Sequence, residues 1–161
     1  MLVFLMRHAE AEPGEPDAAR PLTVKGRRQA RRAGRGPFAV AAAVAPLVEH
    51  SGLVRSVQTA ELAMRAASVA PRRLRLLAGL APEDDPAVTA RLLATARRPR
   101  LIVGHNPHLA SLLALLLGAR SGEVVRFRKG AVAALERIAS PSRGAPHGRW
   151  RLRWFVPPVL V

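Results

Sequence analysis

The 161-residue chain contains no cysteine, which excludes disulfides, thiolate zinc sites, iron–sulfur clusters and cysteine nucleophiles. Acidic residues are scarce: 11 Asp and Glu face 26 Lys and Arg, for a formal charge of +15. Lysine is scarcer still, with only Lys25 and Lys129, so the other 24 of these cations are arginines. Few amide residues accompany them, a composition that fits adaptation to high temperature or codon bias. That reading accounts for most of the charge, and a surface that binds polyanions can hold beside it. No hydrophobic run is long. Residues 2–6 are too short for the core of a signal peptide and no basic segment precedes them. Residues 109–119 are about half of the ~20 that a membrane span requires. The expectation is a cytoplasmic protein with no membrane partner. Walker A, zincin and dinucleotide-binding patterns are missing as well, so any chemistry rests on histidine, arginine, carboxylate or hydroxyl groups.

Hydrophobic residues make up 49% of the chain, enough for one core at this length. No linker or internal repeat divides it, and the expectation is one domain over residues 1–161. The run Leu2-Val3-Phe4-Leu5-Met6 reads as a strand buried on both faces and ended by Arg7. Residues 9–20, rich in proline, glycine and acid, read as a surface loop. A helix is expected over 22–35, with Leu22, Gly26, Ala30 and Ala33 on one face. Arg27, Arg28, Arg31 and Arg35 make the other, a solvated face that could meet an acidic partner. Strands at 46–51, 74–77 and 101–103 alternate with helices at 54–67, 87–96 and 109–117, the last with Pro107 in its first turn. Strands at 132–138 and 150–156 form a closing hairpin. In the second of these, Trp150, Leu152 and Trp154 alternate with Arg151 and Arg153, the pattern of one inward face. This alternation predicts a three-layer α/β/α fold on a mixed, mostly parallel sheet of about six strands.

Three strands end at charged or imidazole residues: Arg7-His8 after the first, Arg55 just beyond the second, His105 after the fourth. If those strands are parallel, their ends share the sheet edge where open α/β sheets bind ligands. Two arginines and two histidines would then converge, which is costly unless an anion joins them. A phosphoryl group meets that need, because the planar arginine fork matches phosphate oxygens. Helix N-termini near Arg55 and Pro107 would add N–H donors. Phosphate or sulfate is the expected anion, with no cofactor and no metal. His108 could be paired with His105 as a ligand, but the further His or Cys of a zinc site is missing, and it reads as a helix-surface residue. His50 and His147 read as strand-end and loop residues. Glu83 and Glu10, both on loops, are the candidate proton donors.

At these positions the sequence resembles the histidine phosphatase superfamily of phosphoglycerate mutase-like proteins, and within it the small SixA-type phosphohistidine phosphatases. Arg7-His8 with Ala9-Glu10-Ala11-Glu12-Pro13 resembles the signature motif of the small branch. Arg20-Pro21-Leu22-Thr23 with Gly26 resembles the opening of its first helix. Ser51 through Arg55 to Gln58-Thr59-Ala60 resembles the second arginine motif, and Gly104-His105-Asn106-Pro107 the second histidine motif. Lys129-Gly130 is a fainter match. The resemblance implies the phosphoglycerate mutase-like fold, with His8 as a transiently phosphorylated nucleophile and Arg7, Arg55 and His105 holding the phosphoryl oxygens. An imidazole attacks only when neutral, and neighbouring arginines lower its pKa from about 6.5. The chain departs from the pattern at Ala9, where many relatives have Gly, and at Gly52, where Pro is common. The short Glu83-Asp84-Asp85 loop does not match the motif that carries the general acid in mutases and many phosphatases. The expected function is therefore metal-independent removal of phosphate from phosphohistidine in a phosphotransfer protein, since imidazole leaves without a dedicated acid. The alternatives are a broad small-molecule phosphomonoesterase and, in another class, a basic nucleic-acid-binding domain without catalysis.

Overall fold

The computed structural model describes residues 1–119 and 124–158; positions 120–123 and 159–161 of the expected domain lie outside the described residues. Among the described residues, six strands form one sheet: β1 (Leu2–Arg7), β2 (Val48–His50), β3 (Leu74–Leu76), β4 (Arg100–Gly104), β5 (Val132–Ala139) and β6 (Arg149–Val156). Their order is β3-β2-β4-β1-β5-β6. The first four of that order run parallel, while β5 is antiparallel to β1 and β6 to β5. The helices are α1 (Val24–Gly34), α2 (Pro37–Val44), α3 (Val54–Ala66), α4 (Pro86–Thr95) and α5 (His108–Leu116). This is the mixed three-layer α/β fold that the strand–helix alternation predicts. Among the described residues, no helix is long and apolar enough to cross a membrane.

β1 lies at the centre and shows why its run is apolar without interruption. Val3 and Leu5 pack with Leu93, Leu109 and Leu112 of α4 and α5, whereas Phe4 and Met6 pack with Phe38, Ala60 and Met64 of α2 and α3. Both faces of the strand are covered, as parallel sheets require. Each large apolar side chain buried here stabilises the fold by about 1.5–3 kcal/mol.

α1 starts later than the periodicity suggests, because the Thr23 hydroxyl accepts the Gly26 N–H at 2.8 Å and caps the helix. Gly26 is required by contact: a Cβ there would lie 1.9 Å from the Glu10 carbonyl oxygen. That approach holds the segment after β1 against α1. Arg28, Arg31 and Arg35 are exposed, as expected, and Arg27 is half-buried, donating to the Leu22 carbonyl at 2.7 Å.

Two features differ from the sequence reading. α2 was not expected; it is short and apolar nearly all round, so it carries no helical period, and Phe38, Ala41 and Ala42 bury it. The Trp150, Leu152, Trp154 stripe does not keep one face. A register shift between Ala134 and Leu135 puts Leu135 opposite Leu152 but Ala134 opposite Trp154. Trp150 and Leu152 therefore pack on the α4–α5 side, and Trp154 packs against Phe4 on the other. A bulge inserts one residue and breaks the two-residue alternation.

Candidate active site

β4 pairs with both β1 and β2, so the C-terminal ends of these three strands stand side by side. They open into a cleft of about 620 Å³ lined by Arg7, His8, Asp17, Arg20, Arg55, Glu83, His105, Asn106 and Lys129, among others. Four cationic side chains face two carboxylates there.

His8 follows β1 and is 6% exposed. Its N–H donates to the Gly104 carbonyl at 2.9 Å, tying the end of β1 to β4. Its Nδ1 lies 2.7 Å from the Ala9 carbonyl oxygen. A carbonyl only accepts, so Nδ1 carries the proton and Nε2 keeps its lone pair. His105 follows β4, is 1% exposed, and places Nε2 2.6 Å from Ser51 Oγ. The two rings lie 4.9 Å apart, centroid to centroid.

Both imidazoles are neutral at ordinary pH. The pKa of His8 is lowered to about 3 by burial first, then by the charges of Arg55, Arg7 and Lys129, against a hydrogen bond to Ala9 that works the other way. His105 is lowered to about 3 by burial first, then by His8 and Arg55. The arginines act as the sequence reading expected, but exclusion from water is the larger cause.

Arg55, the second residue of α3, is 3% exposed. Its Nη1 donates to the Asp17 carbonyl at 2.7 Å and its Nη2 to Asp17 Oδ2 at 2.9 Å. Arg20 Nη1 takes the other Asp17 oxygen at 2.8 Å. Hydrogen bonds from Arg20 and Arg55 hold the Asp17 carboxyl below its usual range. Arg7 Nη1 donates to the Phe127 carbonyl at 2.8 Å. Gly130, at φ +81°, donates its N–H to the carbonyls of Arg7 and His8 at 3.0 and 3.1 Å. This left-handed turn, which favours glycine, sets Lys129 beside the cleft.

Of the residues singled out from sequence, Arg7, His8, Arg55 and His105 all line the cleft, and so does Glu83 on the loop before α4. Glu10 is not brought there: its carboxylate is held by Lys25 Nζ at 3.2 Å and Thr23 Oγ1 at 3.1 Å. His108 is not the surface residue expected. It is 1% exposed, its Nδ1 donates to the Asp84 carbonyl at 2.9 Å, and its Nε2 lies 3.1 Å from Thr89 Oγ1. α5 packs against α4, and this first-turn residue is caught between them. Among the described residues, no three His, Asp or Glu side chains gather as metal ligands would. Sequence reasoning did not assign Asp17, Arg20 or Lys129 to the site. The acid–base spacing of Asp17 and Arg20, and a rare lysine next to a glycine, were the available signals.

No protein-family model matches the sequence, and no curated protein matches it. Solved structures do. The protein histidine phosphatase SixA complexed with tungstate is similar at a TM-score of 0.79 and 24% identity, over 98% of this chain and 97% of that one. A protein of Nakamurella multipartitia provisionally named phosphohistidine phosphatase SixA gives a TM-score of 0.75 at 25% identity, over 99% and 96% of the two chains. One of the same provisional name from Agrobacterium tumefaciens gives 0.74 at 24%, over 98% and 97%. The architecture is thus that of the histidine phosphatase superfamily, the phosphoglycerate mutase-like fold. The three structures just named carry the SixA name; a mycobacterial glucosyl-3-phosphoglycerate phosphatase is also similar, at a TM-score of 0.67 and 18% identity over 94% and 96% of the two chains.

Proposed function

We propose that this chain is a phosphatase that works through a phosphohistidine intermediate on His8 and takes its phosphate from phosphohistidine in a cytoplasmic phosphotransfer protein. One observation carries the reading: a buried, neutral His8 whose Nδ1 proton is donated to the Ala9 carbonyl, leaving Nε2 with its lone pair in a cleft that Arg7, Arg55 and Lys129 also line. In the first step Nε2 attacks phosphorus while the bond from phosphorus to the substrate nitrogen breaks. The electron pair returns to that nitrogen, and with its proton on the other ring nitrogen the leaving imidazole departs neutral. In the second step the oxygen of a water molecule attacks phosphorus and the His8–phosphorus bond breaks. Inorganic phosphate forms, the water proton leaves with it or with solvent, and His8 regains its lone pair. Arg7, Arg55 and Lys129 stabilise the charge spread over the transferring oxygens. Tungstate in the SixA complex is a tetrahedral oxyanion like phosphate and supports anion binding by this fold.

The substrate class rests on the acids. Asp17 is committed to Arg20 and Arg55 and its low pKa leaves it no proton to give. Glu83 is exposed on the rim. An alkoxide is poorly served by such a pair, whereas imidazole needs no donor. The test measures phosphate release with chelator present, by wild type and His8→Ala, from a phosphohistidine protein, an aryl ester and an alkyl ester. Release by wild type alone, fastest from phosphohistidine, is expected. Equal turnover of the alkyl ester would make the protein a general phosphomonoesterase with Glu83 as its acid. No release from any substrate, with salt-sensitive nucleic-acid binding that survives His8→Ala, would replace the enzyme reading altogether.

A further inference from the structure

Ser51 and His105 leave neighbouring strands together. β2 pairs with β4 so that His50 lies opposite Val103, and the next residues turn off the sheet at the same edge. Ser51 Oγ then meets His105 Nε2 at 2.6 Å. A hydroxyl has one hydrogen, and a neutral imidazole has one N–H, so two arrangements exist. Either Ser51 donates to Nε2 and the ring proton sits on Nδ1, or Nε2–H donates to Ser51 and Nδ1 is a bare lone pair.

Two observations separate them. His105 Nδ1 is buried and, among the described residues, has no hydrogen-bond partner, while the ring lines a cleft whose cations call for an anion. With Ser51 holding Nε2, Nδ1 is the ring nitrogen left to meet that anion. A lone pair there would face the lone pairs of phosphoryl oxygens, whereas an N–H would donate to them. Ser51 Oγ also accepts the Leu53 N–H at 3.4 Å, which occupies one of its two lone pairs and leaves its hydrogen free to donate to the ring. Burial and neighbouring cations keep the ring neutral, so it has a single proton to place.

We infer that Ser51 is a positioning residue: its hydroxyl donates to His105 Nε2, fixes the imidazole as the Nδ1–H tautomer, and so makes His105 a neutral hydrogen-bond donor to a phosphoryl oxygen. The tautomer rests on the Ser51 contact, the unpartnered Nδ1 and a neutral ring; its use in phosphoryl transfer rests on the phosphatase reading. A hydroxyl here does for the oxygen-binding histidine what the Ala9 carbonyl does for the nucleophile, with the opposite sign.

The test is nitrogen-15 NMR of the histidine rings in the full chain, in wild type, Ser51→Ala and Ser51→Thr, together with inorganic phosphate binding and phosphohistidine turnover. In wild type His105 should show a protonated Nδ1 and an unprotonated Nε2. Ser51→Ala should mix the tautomers and lower kcat about ten- to a hundredfold, short of or up to the loss of a whole donor. Ser51→Thr, which keeps the hydroxyl, should restore both. A protonated Nε2 in wild type, or a tautomer indifferent to Ser51→Ala, would overturn the inference. So would failure of Ser51→Thr to restore the tautomer in a protein that melts like wild type. If the expected tautomers appear and inorganic phosphate binding follows them, but no phosphohistidine is turned over, the phosphatase reading fails and the role of Ser51 stands.

Discussion

His8 and His105 are nearly matched. Each follows the C-terminal end of a parallel strand, each is under 7% exposed by its own value of 6% and 1%, and each has its pKa lowered to about 3. They differ in what grips the ring. His8 turns its N–H to a backbone carbonyl and keeps a lone pair at Nε2; His105 sets Nε2 against a serine hydroxyl and leaves Nδ1 over. Burial and charge decide that both rings are neutral. In the proposed mechanism the hydrogen-bond partner decides which ring is the nucleophile and which the donor, a division of labour invisible to any count of histidines.

Substitution should break this pair unequally. His8→Ala removes the attacking atom and should lower phosphate release by about 10⁴-fold or more, read from single-turnover assays. His105→Ala removes one donor to the oxygens and should lower kcat about 10²- to 10³-fold, with phosphorylation of His8 slowed rather than abolished. If both variants lose activity equally, the two rings have the same role and the comparison fails.

The pH dependence sharpens the shared part. Each imidazole has a folded-state pKa of about 3 against 6.5 when free, so between those values the unfolded chain binds more protons. Stability should therefore fall as pH drops below 6.5, by at most about 1.4 kcal/mol per pH unit for each ring, and level off below about 3. Urea unfolding at pH 7 and pH 5 measures the loss, and His8→Ala should flatten part of it. For the same reason kcat/KM should show no acid limb centred near 6.5. The smallest effect is expected at Asp17, whose carboxylate takes Arg55 Nη2 while its backbone carbonyl takes Nη1. Asp17→Asn keeps a hydrogen-bond acceptor but removes the charge, and should tighten inorganic phosphate binding roughly three- to tenfold. Weaker binding would mean that the charge of Asp17 chiefly positions Arg55.

Much of this was legible in the sequence, for identifiable reasons. The apolar run of β1, the glycine that ends β4 and the strand–helix alternation are local patterns, and they yield the layered sheet and the shared edge on which Arg7, His8, Arg55 and His105 lie. What escaped depends on neighbours distant in the chain. His108 looks like any helix residue until α4 is packed against it. Trp154 keeps the alternation of its strand until the bulge at Ala134 and Leu135 changes its face. α2 has no polar side to give it a period. Asp17 reads as one more loop acid, because its two arginine partners include Arg55, 38 positions away. The hydrogen bond that fixes each histidine is likewise a matter of geometry, not of residue type.

The central claim is that His8 Nε2 is the attacking atom. The most direct measurement is rapid quenching of the wild-type protein during turnover of a phosphohistidine substrate, followed by location of any phosphoryl group on the chain. The account predicts an acid-labile phosphoryl group on Nε2 of His8, absent from His8→Ala. A phosphoryl group on Nδ1 or on His105, or turnover with no phosphorylated protein at any time, would contradict it.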